Sequence, residues 1–183
     1  MALVVETGAI VANANSYISI ADADAYHSDN GNTAWTGTDA VKTAAIIKAA
    51  RYLNGKYRAR WLGFRVRPVG SETVIAQTME WPRLYVEVFG AAPGIVPGRL
   101  YANYLPADQI PQRVKDAQCE LALRALSADL AIDADASIRR KKVDVIEKEY
   151  APGAVPGQLV YQVVDQLLSD YLEPLGTGSV QRA

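Results

Sequence analysis

The chain has 183 residues, half of them apolar and about a fifth charged, with 19 basic against 20 acidic side chains. That length suits one domain with a sizeable core or a compact domain carrying a long insertion, and the apolar content excludes an intrinsically disordered chain. A net charge of −1 is far from the globally basic footprint of many nucleic-acid binders, and a single cysteine, Cys119, excludes an internal disulfide and a thiolate zinc cluster.

The first ten residues carry Glu6 and no cationic leader, which argues against a signal peptide. No run approaches the roughly 18–20 apolar residues of a membrane helix, so the reading is a soluble, cytosolic product. After an extended start, Ser19 stands three residues before Asp22 in a capping-box arrangement. Asp22 and Asp24 are then expected in a first turn, where the helix dipole favours negative charge, and Asn30-Gly31 is a stop signal. A second helix is expected after Thr38 or Asp39, with Ile46, Ala50, Leu53 and Tyr57 on one face.

From Gly63 to Ile110 the helical pattern ends. Five prolines (Pro68, Pro82, Pro93, Pro97, Pro106) and four further glycines punctuate short β-prone pieces, of which Leu84 to Phe89 is the clearest. Residues 63–109 therefore read as an inserted arm with a hairpin, and long loops in compact proteins are usually functional or disordered. The arm's apolar and aromatic residues (Trp81, Leu84, Tyr85, Val86, Phe89, Leu100, Tyr101, Tyr104) argue against disorder and call for a cover.

A third helix is expected to start at Pro111, a residue favoured at the first helical position. Val114, Ala117, Leu121, Ala125 and Ala128 form its stripe; Leu123, Leu126 and Leu130 widen it until apolar residues nearly encircle the helix. That pattern predicts the central, most buried helix, with Cys119 as a small core residue. Lys142 to Tyr150 alternates imperfectly and reads as one strand. A last helix over about 159–172 is expected to bury Tyr161, Val164, Leu168 and Tyr171, leaving a polar, Gly-rich tail over 174–183. The fold class is thus mainly α: a small four-helix bundle (about 16–62 and 110–173), a long inserted loop or β-hairpin arm, and a short strand before the last helix, in one domain over 1–183.

The near-zero net charge hides segregation. Residues 1–40 carry −5, residues 41–83 carry +7 and residues 84–138 carry −3, while the remainder balances but opens with Arg139, Arg140, Lys141 and Lys142. Such blocks bear on association and phosphate attraction, not on fold. The composition is also rich in alanine (29) and has ten tyrosines to two phenylalanines. Small side chains let helices approach closely. Tyrosine, a large ring with a hydroxyl that wants a partner, suits surfaces wet in one state and covered in another.

Catalytic constellations are not evident. His27, the one histidine, reads as a capping or surface residue, and there is no glycine-flanked serine elbow of the G-x-S-x-G type to supply a nucleophile. The acidic repeats Asp22/Asp24/Asp29 and Asp133/Asp135 lack the glycine and distal glutamate of a calcium loop. Gly90 to Gly98 lacks the GK[ST] ending of a phosphate loop. The expectation is a protein that is not an enzyme, with no cofactor and no metal. Nucleic-acid contact is better supplied: Arg58, Arg60, Arg65 and Arg67 alternate with Trp61 and Phe64, a mixture able to track single-stranded DNA through stacking and phosphate contacts, and Arg139 to Lys142 offer charge alone.

The stretches 15–26 (Asn15 to Tyr26), 51–57 (Arg51 to Tyr57), 81–83 (Trp81, Pro82, Arg83) and 110–126 (Ile110 to Leu126), in that order and spacing, resemble one phage and prophage family; 149–153 and 164–168 look similar to it as well. The family is often labelled a DnaT-like single-stranded-DNA-binding protein, and its members look like head-to-tail adaptor (connector) proteins of long-tailed phages. The resemblance implies a virion neck component, made in the host cytoplasm. It would form a dodecameric ring with copies of itself between the portal protein and a stopper or tail-completion protein, around the DNA channel. Contact with genomic double-stranded DNA would be transient and non-specific, and no membrane is implied. Ring closure needs two complementary patches per copy, for which the acidic start and the basic 41–67 region are candidates. On that reading Trp81, Leu84, Tyr85, Phe89, Tyr101 and Tyr104 contact a neighbouring subunit or partner, Leu172, Leu175 and Val180 belong to a portal-docking tail, and Arg58, Arg60, Arg65, Arg67, Arg139, Arg140, Lys141 and Lys142 face DNA. The alternative is a single-strand binder of phage replication using Arg58, Arg60, Trp61, Phe64, Arg65 and Arg67.

Overall fold

The capping box expected at Ser19 forms. Its hydroxyl accepts the Asp22 N–H at 3.1 Å while the Asp22 carboxylate accepts the Ser19 N–H at 2.8 Å, and these reciprocal bonds start helix α1 (Ile20–Asp29). The structure is a computed structural model and describes residues 2–66, 77–91, 94–96, 99–101, 103–131, 140–143, 146–149 and 160–174. Of 94–96, 99–101, 140–143 and 146–149, the backbone is described.

Helix α2 (Asp39–Lys56) follows Thr38, and its expected stripe is buried throughout: Ile46, Ala50 and Leu53 within the helix and Tyr57 at its cap. Helix α3 (Gln112–Ala125) begins one residue later than expected, with Pro111 as the extended flanking residue. It is the hub, packing against α1, α2 and the last helix, α4 (Gln162–Leu168). Ala45, Ala49 and Ala50 of α2 and Ala117, Ala122 and Ala125 of α3 are all buried, so the small side chains lie in the core where the helix pair meets. Leu121 of α3 is fully buried in the same core, and truncating such a leucine costs about 2–5 kcal/mol. Four helices thus pack together around one cluster of buried residues.

The last helix is shorter than its periodicity suggests. Val164 and Leu168 are buried, but Ser169–Tyr171 tightens into a 3-10 turn and Tyr161 and Tyr171 are half-buried. The chain then runs beside the end of α2: the Leu62 N–H donates to the Tyr171 carbonyl at 2.9 Å, and the Glu173 N–H to the Arg60 carbonyl at 2.7 Å. Leu172, expected in a docking tail, is instead buried core opposite Trp61. Leu175 and Val180 lie outside the described residues.

The arm is rooted in the core. The Tyr17 hydroxyl donates to Asn54 Oδ1 at 2.7 Å and accepts the N–H groups of Glu80 (3.1 Å) and Trp81 (3.2 Å). Met79, Trp81 and Val86 are thereby buried. Strand β1 (Phe64–Arg65) pairs antiparallel with β2 (Arg83–Leu84), setting Phe64 opposite Leu84 and Arg65 opposite Arg83. Gly63 makes this approach feasible: at φ +69° it places the position of a Cβ 2.1 Å from the Leu84 carbonyl oxygen, which no side chain tolerates. The expected hairpin is present. Val88 N–H donates to the Asn103 carbonyl and Leu105 N–H to the Val86 carbonyl, each at 2.8 Å. Further out, β3 (Gly94–Val96) pairs with β4 (Arg99–Tyr101).

The strand expected over 142–150 is two: β5 (Arg140–Val143) pairs antiparallel with β6 (Ile146–Glu149), with Val143 opposite Ile146. Alternation along each limb of a hairpin is the same as along one continuous strand, so periodicity alone misses the reversal. Facing register positions carry opposite charge at Arg140/Glu149 and Lys142/Glu147.

Candidate nucleic-acid interface

The segregated charges meet within the chain. Lys42 of the basic block donates to Asp24 of the acidic block at 2.8 Å, and Asp24 also accepts the Trp35 indole N–H at 2.6 Å. Asp24 therefore joins α1 to α2 rather than serving the first turn, where Asp22 alone stands. The Lys42 ammonium and the Trp35 indole hold the Asp24 carboxyl below the usual carboxylate range.

A second cluster forms where the arm leaves the core. Glu80 is buried, and its carboxylate faces three guanidinium groups: Arg83 at 3.1 Å, Arg65 at 3.4 Å and Arg58 at 3.7 Å. Three cations on one anion leave the cluster with a positive excess. The arginines differ in role. Arg83 is buried and donates to the carbonyls of Trp61, Leu62, Gly63 and Glu80 as well as to the Glu80 carboxylate. It ties the arm to the end of the helical core. Burial pushes its pKa down, opposed by Glu80; the guanidinium stays charged. Arg65 is partly exposed and Arg58 largely so. Arg60 is turned to the chain's own C-terminal segment, donating to the Glu173 carbonyl at 2.8 Å.

Aromatic rings in water begin at Phe64, the residue before Arg65. Phe64 is 70 % exposed, Tyr85 63 % and Tyr104 47 %. They form a row: the Phe64 and Tyr85 ring centres are 6.5 Å apart and those of Tyr85 and Tyr104 5.7 Å apart, both pairs edge to face. Phe64 adjoins Arg65 in β1, and Tyr104 pairs with Glu87 across the hairpin. Basic side chains next to exposed rings can offer a polyanion phosphate contacts and unstacked bases a face to lie on.

Of the residues expected at a partner surface, Tyr85, Tyr104 and Phe89 are exposed and Leu84 is half-buried. Trp81 is not available: it is fully buried, edge to face with Trp61 and Tyr171. Trp61, expected to stack on DNA, is likewise core. Both rings lie in the core cluster in which the arm is rooted. Tyr101, Arg140, Lys141 and Lys142 lie on strands whose backbone alone is described. Arg67 and Arg139 lie outside the described residues.

His27 is neither a surface nor a capping group. It is buried, its ring tilted at 36° against Trp35 with centres 4.6 Å apart and edge to face with Tyr26, with Nδ1 3.1 Å from the Asn32 amide nitrogen. Burial pushes its pKa below 6.5, with Glu120 and Asp24 opposing. Cys119 is buried in α3, as its place in the apolar stripe implies, and its thiol is pushed up to about 12. Among the described residues, no three His, Cys, Asp or Glu side chains come together as a metal site, and no helix is long and apolar enough to cross a membrane.

Sequence reasoning missed two groups that shape this face. Arg83 stands alone, with no other Lys or Arg among residues 68–98, and Glu80 three residues before it is the usable signal of a pair. Glu80 itself is the anion that gathers the arginines.

A mainly helical core presenting an arginine and aromatic face is the class of molecule on view. A family model described as "Putative DnaT-like ssDNA binding protein" matches residues 1–183, so the chain belongs to that family. No curated protein and no solved structure matches the chain at a significant level.

Proposed function

We propose that this protein binds single-stranded DNA, with Phe64, Tyr85 and Tyr104 receiving unpaired bases and Arg58 and Arg65 receiving phosphates. The observation that carries the reading is the row of three exposed rings, whose first member Phe64 adjoins Arg65 of a cluster in which arginines outnumber carboxylates three to one. The family description points the same way. Stacking on aromatic side chains tolerates any base, and alanine substitution typically removes about 1–3 kcal/mol per base. A duplex keeps its base faces inside its own stack, so this face favours unpaired strands. The modest net charge suits binding of moderate strength that weakens with salt.

Titration of a fluorescent oligothymidylate, followed by anisotropy at low and moderate salt, tests the reading. Salt-sensitive binding in the micromolar range or tighter, weakened by Phe64→Ala with Tyr104→Ala, is the expected result. No binding at low salt overturns it.

The head-to-tail adaptor is the second reading, with a homo-oligomeric ring between portal and stopper proteins. It is favoured by Phe89, 79 % exposed, and Val88, 39 % exposed, which are apolar surface of the same hairpin better suited to cover by protein than by phosphate. Native mass spectrometry of the purified protein distinguishes the two: a closed ring with no oligonucleotide affinity supports the adaptor.

A further inference from the structure

Tyr85 sits where its backbone does not favour it. Its φ is +60°, in the left-handed region that side chains with a Cβ rarely enter and that glycine or asparagine normally supplies. The conformation has a visible effect. Along an extended strand, side chains alternate between faces. Arg83 points into the core, so unbroken alternation would turn Tyr85 inward and Val86 outward. The observed order is the reverse: Tyr85 is 63 % exposed and Val86 is fully buried. The left-handed residue resets the alternation, delivering Val86 to the core and Tyr85 to solvent.

Glycine would make the same reset without strain, so the backbone alone does not call for tyrosine. Neither does packing among the described residues. The ring touches Phe64 and Tyr104, both largely exposed themselves, and these edge-to-face contacts leave most of it in water. Strained residues of this kind collect at functional sites, where the surrounding structure holds them in place. Here the holders are on either side. Buried Arg83 anchors one, and the pairing of Val86 and Val88 with Leu105 and Asn103 anchors the other.

We infer that Tyr85 is the central base-contacting ring of the surface, and that its left-handed backbone is the device presenting it to an unpaired nucleotide. The inference rests on the single-strand reading above and assigns within it the residue on which affinity turns. Phe64 and Tyr104 flank this ring as the outer base contacts.

Tyr85→Gly, Tyr85→Asn and Tyr85→Phe test the inference through two readouts, thermal unfolding and anisotropy of a labelled oligothymidylate. Glycine and asparagine accept the left-handed backbone, so both variants are expected to unfold at or above the wild-type temperature while binding roughly tenfold or more weakly. Phenylalanine keeps the ring and is expected to match wild type in both. Wild-type binding that Tyr85→Gly retains overturns the inference alone. So does a marked fall in the unfolding temperature of Tyr85→Gly, which would make the ring a packing residue. A wild-type protein that ignores the oligonucleotide overturns the single-strand reading and this inference together.

Discussion

The Gln118 side-chain oxygen accepts the backbone N–H of Tyr17 at 2.9 Å, across 101 residues of sequence. The same carboxamide donates to the Ser16 hydroxyl at 2.8 Å and to the Ile46 carbonyl at 3.1 Å. One fully buried side chain of α3 thus binds the N-terminal segment and α2 at once. Gln118→Leu keeps much of the volume but leaves the buried Tyr17 N–H unpaired, while the Ile46 carbonyl, inside α2, keeps its helical acceptor role. The expected loss is about 1–3 kcal/mol for that orphaned group, read as a lower denaturant midpoint with an unchanged slope. Because Tyr17 also holds the backbone of Glu80 and Trp81, faster amide exchange at those two residues is expected in the same variant.

Arg83 offers a larger effect. Arg83→Met removes the donor shared by four backbone carbonyls and leaves buried Glu80 with its two more distant arginines. Breaking such a buried pair from one side costs about 3–5 kcal/mol. The double variant Glu80→Gln with Arg83→Met is expected to lose less than the sum of the two single losses, since it removes the stranded charge as well. Chemical unfolding of the three variants measures the coupling.

Acid should act through His27. Its folded pKa lies below the ordinary 6.5 because the ring is buried, so the unfolded chain takes up the proton first. Stability from this group is complete above about 6.5 and falls as pH drops from there toward the folded value. The facing groups are Glu120 and Asp24, which oppose the shift, and Lys42, which adds to it. Urea midpoints are expected to decline as pH passes below 6.5, and His27→Gln is expected to flatten that part of the curve.

For DNA binding, Arg58→Gln and Arg65→Gln are expected to lower affinity evenly across sequences. Each is also expected to reduce the slope of log K against log salt by about 0.7 for every single-strand phosphate left without its cation. Phe64→Ala and Tyr104→Ala are expected to weaken affinity with little change in that slope. Anisotropy titrations over a salt series separate the two kinds of contribution.

Local signals bring the helical half of the fold into view. The reciprocal bonds of Ser19 and Asp22 span three residues, and the stripe from Ile46 to Tyr57 needs only helical periodicity, so both are written in short windows. What escapes depends on distant partners. His27 reads as a surface group because Trp35, which covers it, lies beyond a turn. Trp81 and Leu172 read as partner contacts because Trp61, which meets both, is remote in sequence. The hairpin of β5 and β6 reads as one strand because alternation does not register a change of direction. At the candidate site Tyr85, Phe89 and Tyr104 are expected at a partner surface from the arm's aromatic content, but what turns Tyr85 outward is not legible, because nothing in the sequence marks its left-handed backbone. The burial of Arg83 is not legible either, because the groups that accept its protons are backbone carbonyls common to every residue.

Cys119 has a practical side. Its sulfur is enclosed by α3 and the helices around it, and the thiol is pushed up to about 12, so little thiolate exists at neutral pH. With one cysteine in the sequence, a maleimide added to the native protein would react chiefly after the bundle opens, making this atom a built-in clock for opening. Dyes placed on engineered surface cysteines would label selectively without first removing the natural one.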